Sequence, residues 1–264
     1  MAWFPSKTRK GRGFRKGEPD KRDHDFSRLG LAAPAPRTTV SLERYAKILD
    51  QGPSSTCVGH IYAEALYNRE GYVGLEQRDL SVLYPYYWSR WLHGSHRSDS
   101  GTFLRTMGEG GRRFGVCDEK WWGFSPLGIK VNRAPNIAAR SHSFPRVGAK
   151  YVMVLDPHRE AVHASLRSAL QNGYCPGIGI GVGRSFQRMD GPEIIELHEF
   201  VVDLVGGHAL LVVGYDAERG LYRLQNSWSK DWRDGGFCWV PEEVIDHAME
   251  IMVMYGWPRL LEAA

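Results

Sequence analysis

The chain has 264 residues, of which 42% are hydrophobic and 24% charged, a composition typical of a globular protein with a sizeable core. No apolar run approaches the roughly 20 residues that a membrane-spanning helix needs. The N-terminus has basic residues but lacks the apolar stretch of a signal peptide. These features exclude an integral membrane protein, and we expect a cytoplasmic protein or one carried in a phage particle or another assembly.

The net charge of +4 is unevenly distributed along the chain. Residues 1–37 contain 10 Lys and Arg against 4 Asp and Glu, a balance of +6, whereas the remainder has a balance of −2. This basic arm is either a solvated tail or a segment that contacts an acidic partner or an assembly; nucleic acid is a weaker possibility. We place the arm and a Pro-rich linker at 1–39, and one domain at 40–264.

The first half of that domain reads as helical. Residues 57–70 have apolar side chains three, seven and eight positions apart, and hydroxyl side chains at 54–56 could cap the helix that they predict. Gly71 is expected to end it. Two further helices are predicted, an aromatic one at 80–92 and a glycine-weakened one at 101–115. We therefore assign a helical lobe to residues 40–140.

The second half reads as a β-rich lobe, residues 141–264. A helix at 165–174 precedes predicted strands at 175–183, 208–216, 221–228 and 236–241. The run "GIGIGVG" within the first strand lacks the Lys-Ser/Thr pair and helix of a phosphate-binding loop. Helices followed by antiparallel strands predict an α+β protein of two lobes, and a cleft between the lobes would be a natural site.

The strands at 208–216 and 221–228 flank a turn signal, "DAERG". In an antiparallel hairpin, two residues that face each other are equally far from the centre of the turn. A turn centred near Ala217 is equally far from His208 and Asn226, so it places them directly opposite each other. An Asn oxygen can accept a hydrogen bond from one ring N–H of a histidine. This would fix the tautomer and leave the other nitrogen as a base for a nucleophile.

Cys57 is the candidate nucleophile. A cysteine in the first turn of a helix is stabilised as a thiolate by the positive end of the helix dipole. Gln51 could donate a side-chain N–H to a developing oxyanion beside the Cys57 backbone N–H. A cysteine at this place is by itself more often structural, but Gln51, His208 and Asn226 together favour a nucleophile.

The other cysteines and histidines suggest no metal site. The four cysteines are widely spaced and no C-x-x-C pair occurs, which argues against zinc. If Cys57 is a reactive thiol, three cysteines remain, and this odd number argues against a full disulfide framework. His93, His96 and Asp99 have a spacing that resembles metal ligands, yet their segment "LHGSHRSDSG" is typical of a polar loop. We predict no metal ligands and no cofactor.

The ordered set of motifs resembles papain-like cysteine peptidases, particularly compact bacterial and phage members without a long pro-segment. "LSVLYPYYWSR" and "DSGTFLRTM" are similar to family segments, and the likeness runs from about Asp25 to Pro241. The family patterns Gln-Gly-x-x-x-x-Cys, Gly-His-Ala and Asn-Ser-Trp-Gly…Trp-Gly…Gly-Tyr/Phe match, in this order, Gln51, Gly52, Cys57, Gly207, His208, Ala209, Asn226, Ser227, Trp228, Trp232, Gly236 and Phe237.

The resemblance implies a two-lobed fold with a helical N-terminal lobe and an antiparallel β-barrel-like C-terminal lobe, with the active site between them. Cys57 would attack the scissile carbonyl of a peptide or protein substrate through an acyl-enzyme. His208 would act as base and then acid, Asn226 would orient it, and Gln51 would help hold the oxyanion.

The resemblance also implies a substrate-binding set. Gly101 and Thr102 match the family segment that pairs with the substrate backbone. Gly207 and Trp228 complete the set, and Trp228 would also shield the His208–Asn226 hydrogen bond from water.

Two departures from the family pattern stand out. Ser54 lies where secreted relatives have a cysteine, so their disulfide cannot form, which agrees with a reducing compartment. Residues 1–39 are too few for the long helical pro-segment, so we expect no self-inhibition by a pro-domain. Isopeptide cleavage or transpeptidation with the same residues stays open, as does a structural role in a phage or another large assembly.

Overall fold

A computed structural model describes residues 10–18, 20, 26, 38–125, 130–143, 150–153 and 159–255; most of the predicted linker lies outside them. The helices in this part of the chain are α1 (Cys57–Tyr72), α2 (Leu83–Leu92), α3 (Leu104–Phe114), α4 (Ile137–Ser141), α5 (Arg159–Gln171), α6 (His198–Val201) and α7 (Glu242–Ile245). The strands are β1 (Val40–Ser41), β2 (Lys150–Met153), β3 (Gly177–Gly183), β4 (Leu204–Asp216), β5 (Leu221–Gln225), β6 (Phe237–Pro241) and β7 (Glu250–Tyr255). None of the described helices is long and apolar enough to cross a membrane.

Helix α1 is the centre of the molecule, with β3 and β4 on one side and α2 and α3 on the other. It continues past Gly71 to Tyr72, so the predicted end was two residues early. Because it is enclosed on nearly all sides, its polar residues His60, Glu64 and Asn68 are buried together with the apolar ones. The sequence predicted burial of one apolar face only, whereas nearly all faces of α1 are buried.

The turn before α1 differs from the predicted capping arrangement. Thr56 is the N-cap residue, yet its side chain makes no capping hydrogen bond. The hydroxyl of Ser54 instead donates to the carbonyl of Gln51 at 2.7 Å and lies 2.6 Å from the Thr56 hydroxyl. The hydroxyl groups thus brace the turn from Gln51 to Cys57 instead of capping the helix.

Helices α2 and α3 each begin three residues later than predicted, because the residues before them are extended. Leu80 bridges to Asp118, and Thr102 bridges to Phe14 of the N-terminal arm. Helix α3 ends before Gly115, whose φ of 74° suits glycine. Extended backbone at Thr102 matters below, because it forms one wall of the cleft.

The described strands form one antiparallel sheet in the order β2-β7-β3-β4-β5-β6, with β1 paired to β4. Glycines occupy alternate positions of β3, so one face of this strand carries no side chains, and Ile61 of α1 and Phe14 of the arm approach it closely. The other face carries Ile178, Ile180 and Val182, all buried. The predicted α+β class is confirmed by this arrangement.

The predicted register of the β4–β5 hairpin was wrong. Leu211 pairs with Gln225, and a bulge follows, so His208 pairs with Ile180 of β3 and does not lie opposite Asn226. The turn lies later than expected because the Asp216 carboxylate accepts the N–H groups of residues 218 and 219. Gly220, with a φ of 65°, then closes it.

Candidate active site

Cys57 is the first residue of α1 and is fully buried. The turn that delivers it begins at Gln51 and includes Gly52 with a φ of 54°, a conformation that glycine adopts readily. Burial raises the pKa of the thiol, and a hydrogen bond from the Ala209 N–H on β4 opposes this shift, so the sulfur lies beside the strand that carries His208.

Gln51 connects the two sides of the cleft. Its backbone N–H donates to the Ser227 carbonyl at 2.9 Å, and its side-chain oxygen accepts the Ser227 hydroxyl at 2.6 Å. The remaining group of its side chain, the amide nitrogen, donates to the Ser54 carbonyl at 2.7 Å and to the Gly11 carbonyl at 3.0 Å. The Gln51 amide is therefore an oriented donor that already holds a carbonyl oxygen in the cleft.

His208 and Asn226 are neighbours, although by a different route from the one predicted. His208 Nε2 lies 2.8 Å from Asn226 Oδ1, and Asn226 stands just beyond the end of β5. The same oxygen accepts the Ser227 N–H at 2.8 Å, so Nε2 of His208 is the donor of the shared hydrogen bond. Nδ1 is then left with a lone pair, and it has no hydrogen-bond partner among the described residues.

Trp228 covers this pair. Its ring centroid lies 4.6 Å from that of His208, and both side chains are fully buried. Burial lowers the pKa of His208 to about 4, the hydrogen bond to Asn226 opposes this shift, and the charge of Arg12 adds to it. The imidazole is therefore neutral at pH 7 in this arrangement.

The cleft is occupied by residues 10–15 of the basic arm, which we call the inserted segment. The N–H of Gly13 donates to the Cys57 sulfur at 3.2 Å. On one side of this point the Gly11 N–H donates to the Gly52 carbonyl at 2.8 Å, and Lys10 forms an ion pair with Asp50 at 2.9 Å. The described part of the arm is thus not a solvated tail.

All four residues of the predicted substrate-binding set contact the inserted segment. Thr102 accepts the Arg15 N–H at 2.9 Å and donates its own N–H to Gly13 at 2.8 Å. The Gly207 carbonyl accepts the Phe14 N–H at 3.2 Å, and Trp228 Nε1 lies 3.3 Å from the Gly11 carbonyl oxygen. A Cβ on Gly101 would lie 2.0 Å from the Gly13 carbonyl oxygen, so only glycine permits this approach.

Two glycines of the arm were missed by the sequence reasoning. A Cβ on Gly11 would lie 1.7 Å from the Ser54 carbonyl oxygen, and one on Gly13 would lie 1.8 Å from that of Ser55. The backbone of the inserted segment therefore lies directly on the backbone of the turn before Cys57. The Gly-x-Gly spacing in "KGRGF" was the available signal, since close backbone approach is a common reason for glycine.

The inserted segment presents the wrong group to the thiol for cleavage. Its pairing with Thr102 is parallel. An N–H group, that of Gly13, faces the sulfur, while the carbonyl held by Gln51 belongs to Gly11. Attack requires a carbonyl carbon at the sulfur with its own oxygen on the oxyanion donors. The observed geometry does not meet this requirement.

The pKa of Cys57 is opposite to the sequence expectation of a stabilised thiolate. Burial raises it from 9.0 to about 11, although the N–H groups of Ala209 and Gly13 act in the other direction. Since the inserted segment excludes water from the thiol, the charged form loses its solvation. In the arm-bound form, both the Cys57 thiol and the His208 imidazole are therefore neutral.

The segment with His93, His96 and Asp99 is a loop between α2 and α3. Within the described residues, no group of three His, Cys, Asp or Glu side chains is placed to hold a metal. His93 lies 3.1 Å from the Thr102 hydroxyl, and Asp99 accepts hydrogen bonds from Ser55 and Tyr86. The loop is therefore held by contacts to the cleft walls.

No family model matches the sequence. An uncharacterized peptidase C1-like protein of Acanthamoeba polyphaga mimivirus is 26% identical over 219 residues, which are 79% of this chain and 68% of that protein. Xylellain, a cysteine protease from Xylella fastidiosa, superposes with a TM-score of 0.81 at 24% identity, covering 97% of this chain and all of that one. The chain has the papain-like fold.

More distant papain-like structures share the fold at lower identity. A cysteine protease of Carica candamarcensis, solved in complex with E-64, has a TM-score of 0.60 at 17% identity, covering 88% of this chain and 97% of that one. Digestive procathepsin L 3 of Tenebrio molitor has a TM-score of 0.62 at 17% identity, covering 94% and 75%. The papain-like fold therefore extends over nearly the whole chain.

Proposed function

We propose that the chain is a cysteine-type peptidase that cleaves peptide bonds in peptides or proteins through a Cys57 acyl-enzyme. The single observation that carries the proposal is the His208–Asn226 hydrogen bond, which keeps the proton on Nε2 and leaves Nδ1 as the acceptor. The cysteine protease and peptidase names of the similar proteins support the same chemistry.

In this mechanism Nδ1 of His208 takes the proton of the Cys57 thiol, and the thiolate adds to the scissile carbonyl carbon. The resulting oxyanion receives hydrogen bonds from the Gln51 amide and the Cys57 N–H. The imidazolium then gives its proton to the leaving amine as the C–N bond breaks, which leaves a thioester. Water activated by His208 hydrolyses this thioester and regenerates the thiol.

We further propose that the described form is latent, because the inserted segment blocks Cys57. Support comes from the Gly13 N–H on the sulfur and from the contacts that the segment makes with all four residues of the substrate-binding set. This proposal replaces the expectation from the sequence that no pro-segment inhibits the chain. An external acidic partner for the arm stays a separate prediction.

The test uses the full chain and two matched glycine substitutions. In Gly13→Ala the new Cβ meets the backbone of Ser55, whereas in Gly17→Ala it meets side-chain atoms only, those of Glu250, Arg105 and Phe103. Strained packing costs about 1–3 kcal/mol, so Gly13→Ala should raise the rate of Cys57 labelling by a vinyl sulfone about 5- to 100-fold. Gly17→Ala should resemble the wild type.

Peptide-library hydrolysis by the Gly13→Ala chain should follow the labelling rate, and Cys57→Ser should abolish both. A Gly13→Ala chain that is folded yet neither labelled at Cys57 nor able to cleave any peptide would refute the peptidase proposal. Equal labelling of the wild type and Gly13→Ala chains would instead refute latency alone.

A further inference from the structure

Asp99 joins the two backbone walls of the cleft. Its Oδ2 accepts the Ser55 N–H at 2.8 Å, and its Oδ1 accepts the Tyr86 hydroxyl at 2.7 Å. The Tyr86 oxygen in turn accepts the Gly101 N–H at 3.1 Å. Three hydrogen bonds thus run without interruption from the turn before Cys57 to the wall at Gly101.

The two ends of this chain of bonds touch the same residue of the inserted segment. The Ser55 carbonyl lies against the Cα of Gly13, and the Cα of Gly101 lies against the Gly13 carbonyl. Gly101 precedes Thr102, whose N–H and C=O pair with the inserted segment. Because the backbones of Ser55 and Gly101 lie on either side of a bound chain, the distance between them sets how that chain is held.

The chemistry of this link suits a carboxylate. Both groups that face Asp99 are donors, and a carboxylate accepts on both oxygens, whereas an amide would turn an N–H toward one donor. Burial and the charge of Asp99 raise the pKa of Tyr86 well above its usual range, so its hydroxyl keeps the proton that it donates. Hydrogen bonds to a charged acceptor are about twice as strong as neutral ones.

Tyr86 is itself firmly placed. It is fully buried in α2, and the Arg90 guanidinium lies 3.9 Å from its ring centroid. Arg90 Nε also donates to the Tyr86 carbonyl at 3.3 Å. Each of the four described cysteines is free, so hydrogen bonds and not a disulfide make the link between these walls.

We propose that Asp99 is a positioning residue of the peptidase, which holds the nucleophile-bearing turn and the substrate-binding wall at a working separation. The proposal rests on the proposed function. Through Ser55 it orients the turn that carries Gln51 and Cys57, and through Tyr86 it orients Gly101 and Thr102. It touches neither the substrate nor the reacting atoms.

The test compares Asp99→Ala, Asp99→Asn and Tyr86→Phe in the full-length Gly13→Ala chain. Loss of a charged hydrogen-bond acceptor should lower kcat/KM about 10- to 100-fold in Asp99→Ala, with both a lower kcat and a higher KM, and Asp99→Asn should recover part of this loss. Tyr86→Phe keeps the bond to Ser55, so KM should rise with little change in kcat. Ser100→Ala removes only a surface bond to Ser95 and is the matched control.

Unchanged kcat and KM in a folded Asp99→Ala chain would overturn the proposal. The proposal would also be overturned if all three variants lost the same factor in kcat/KM and this loss followed only their melting temperatures, since that would indicate general destabilisation. If the Gly13→Ala parent is inactive, the proposed function fails separately. In that case, hydrogen exchange at the Gly13 and Arg15 amides of the arm-bound chain tests the positioning role of Asp99. Faster exchange in Asp99→Ala than in Ser100→Ala would support this role, and equal exchange would refute it.

Discussion

The two sides of the cleft are held in place by different means. On the strand side, His208 lies within a 13-residue strand, and residues 204–211 of this strand pair with β3. On the helical side, Cys57 follows an irregular turn, and the wall at Gly101 precedes α3 without a strand of its own. Backbone ladders position the base, whereas side-chain hydrogen bonds position the nucleophile and the wall.

The two sides of the cleft should therefore differ in their sensitivity to substitution. A ladder of backbone hydrogen bonds survives most side-chain changes, so on the strand side only His208 and its hydrogen-bond partner Asn226 should matter. The turn from Gln51 to Cys57 depends on the side chains of Gln51, Ser54 and Asp99. On that side, residues that never meet the substrate should also affect the reaction.

The largest effect is expected for the base on the strand side. His208→Ala in the Gly13→Ala chain should lower kcat/KM by about 10²–10⁴, because proton transfer from the thiol and to the leaving group is lost. Ile180→Val, which changes the ladder partner of His208 but keeps the backbone pairing, is the control and should change kcat/KM less than about threefold. Steady-state hydrolysis of one peptide measures both, and near-normal activity of His208→Ala would remove it from the mechanism.

The second-largest effect is expected for the candidate oxyanion donor on the helical side. Gln51→Ala should lower kcat by about 10²–10³, the usual loss for one oxyanion donor. Ser227→Ala removes only the hydroxyl that the Gln51 side-chain oxygen accepts, so kcat should fall by about tenfold at most. Equal losses in the two variants would mean that Gln51 acts through its tie to Ser227 and not as an oxyanion donor.

The smallest effect is a pH dependence of arm release. The pKa of His208 is lowered to about 4 when the segment is bound and should return toward 6.5 when water enters. Below pH 6.5 the released form therefore binds more protons than the arm-bound form. The free energy that favours the arm-bound form is fully present above pH 6.5 and is lost as the pH falls toward 4. About tenfold more release is expected at pH 5.5 than at pH 7.5.

Hydrogen exchange at the Gly13 amide, corrected for its intrinsic pH dependence, measures this release. His208→Gln lacks the titrating ring and should show no increase between pH 7.5 and 5.5. The same increase in both chains would assign the effect to other groups. Release should also rise above pH 9, because burial raises the pKa of Cys57 to about 11 and ionisation favours the form in which the thiol is solvated.

The sequence alone identified much of the candidate site, because its signals are local. The run from Gln51 to Cys57 combines a turn with a helix start, and each reacting residue has the side chain that its chemistry needs. The α+β class followed from helical and alternating periods in the two halves. The hairpin arithmetic joined His208 to Asn226 although its register was wrong, because Asn226 reaches the imidazole from beyond the end of β5.

Where the arm lies and which side chains join the walls follow only from the tertiary structure. The sequence of the arm is typical of a basic tail, and its position in the cleft depends mainly on backbone hydrogen bonds, so the Gly-x-Gly spacing was a weak signal for it. The pKa of Cys57 depends on this occupancy, so a helix N-terminus alone predicted the wrong direction. Asp99 lies 42 positions after Cys57, and its link to Ser55 exists because folding brings two distant backbones together.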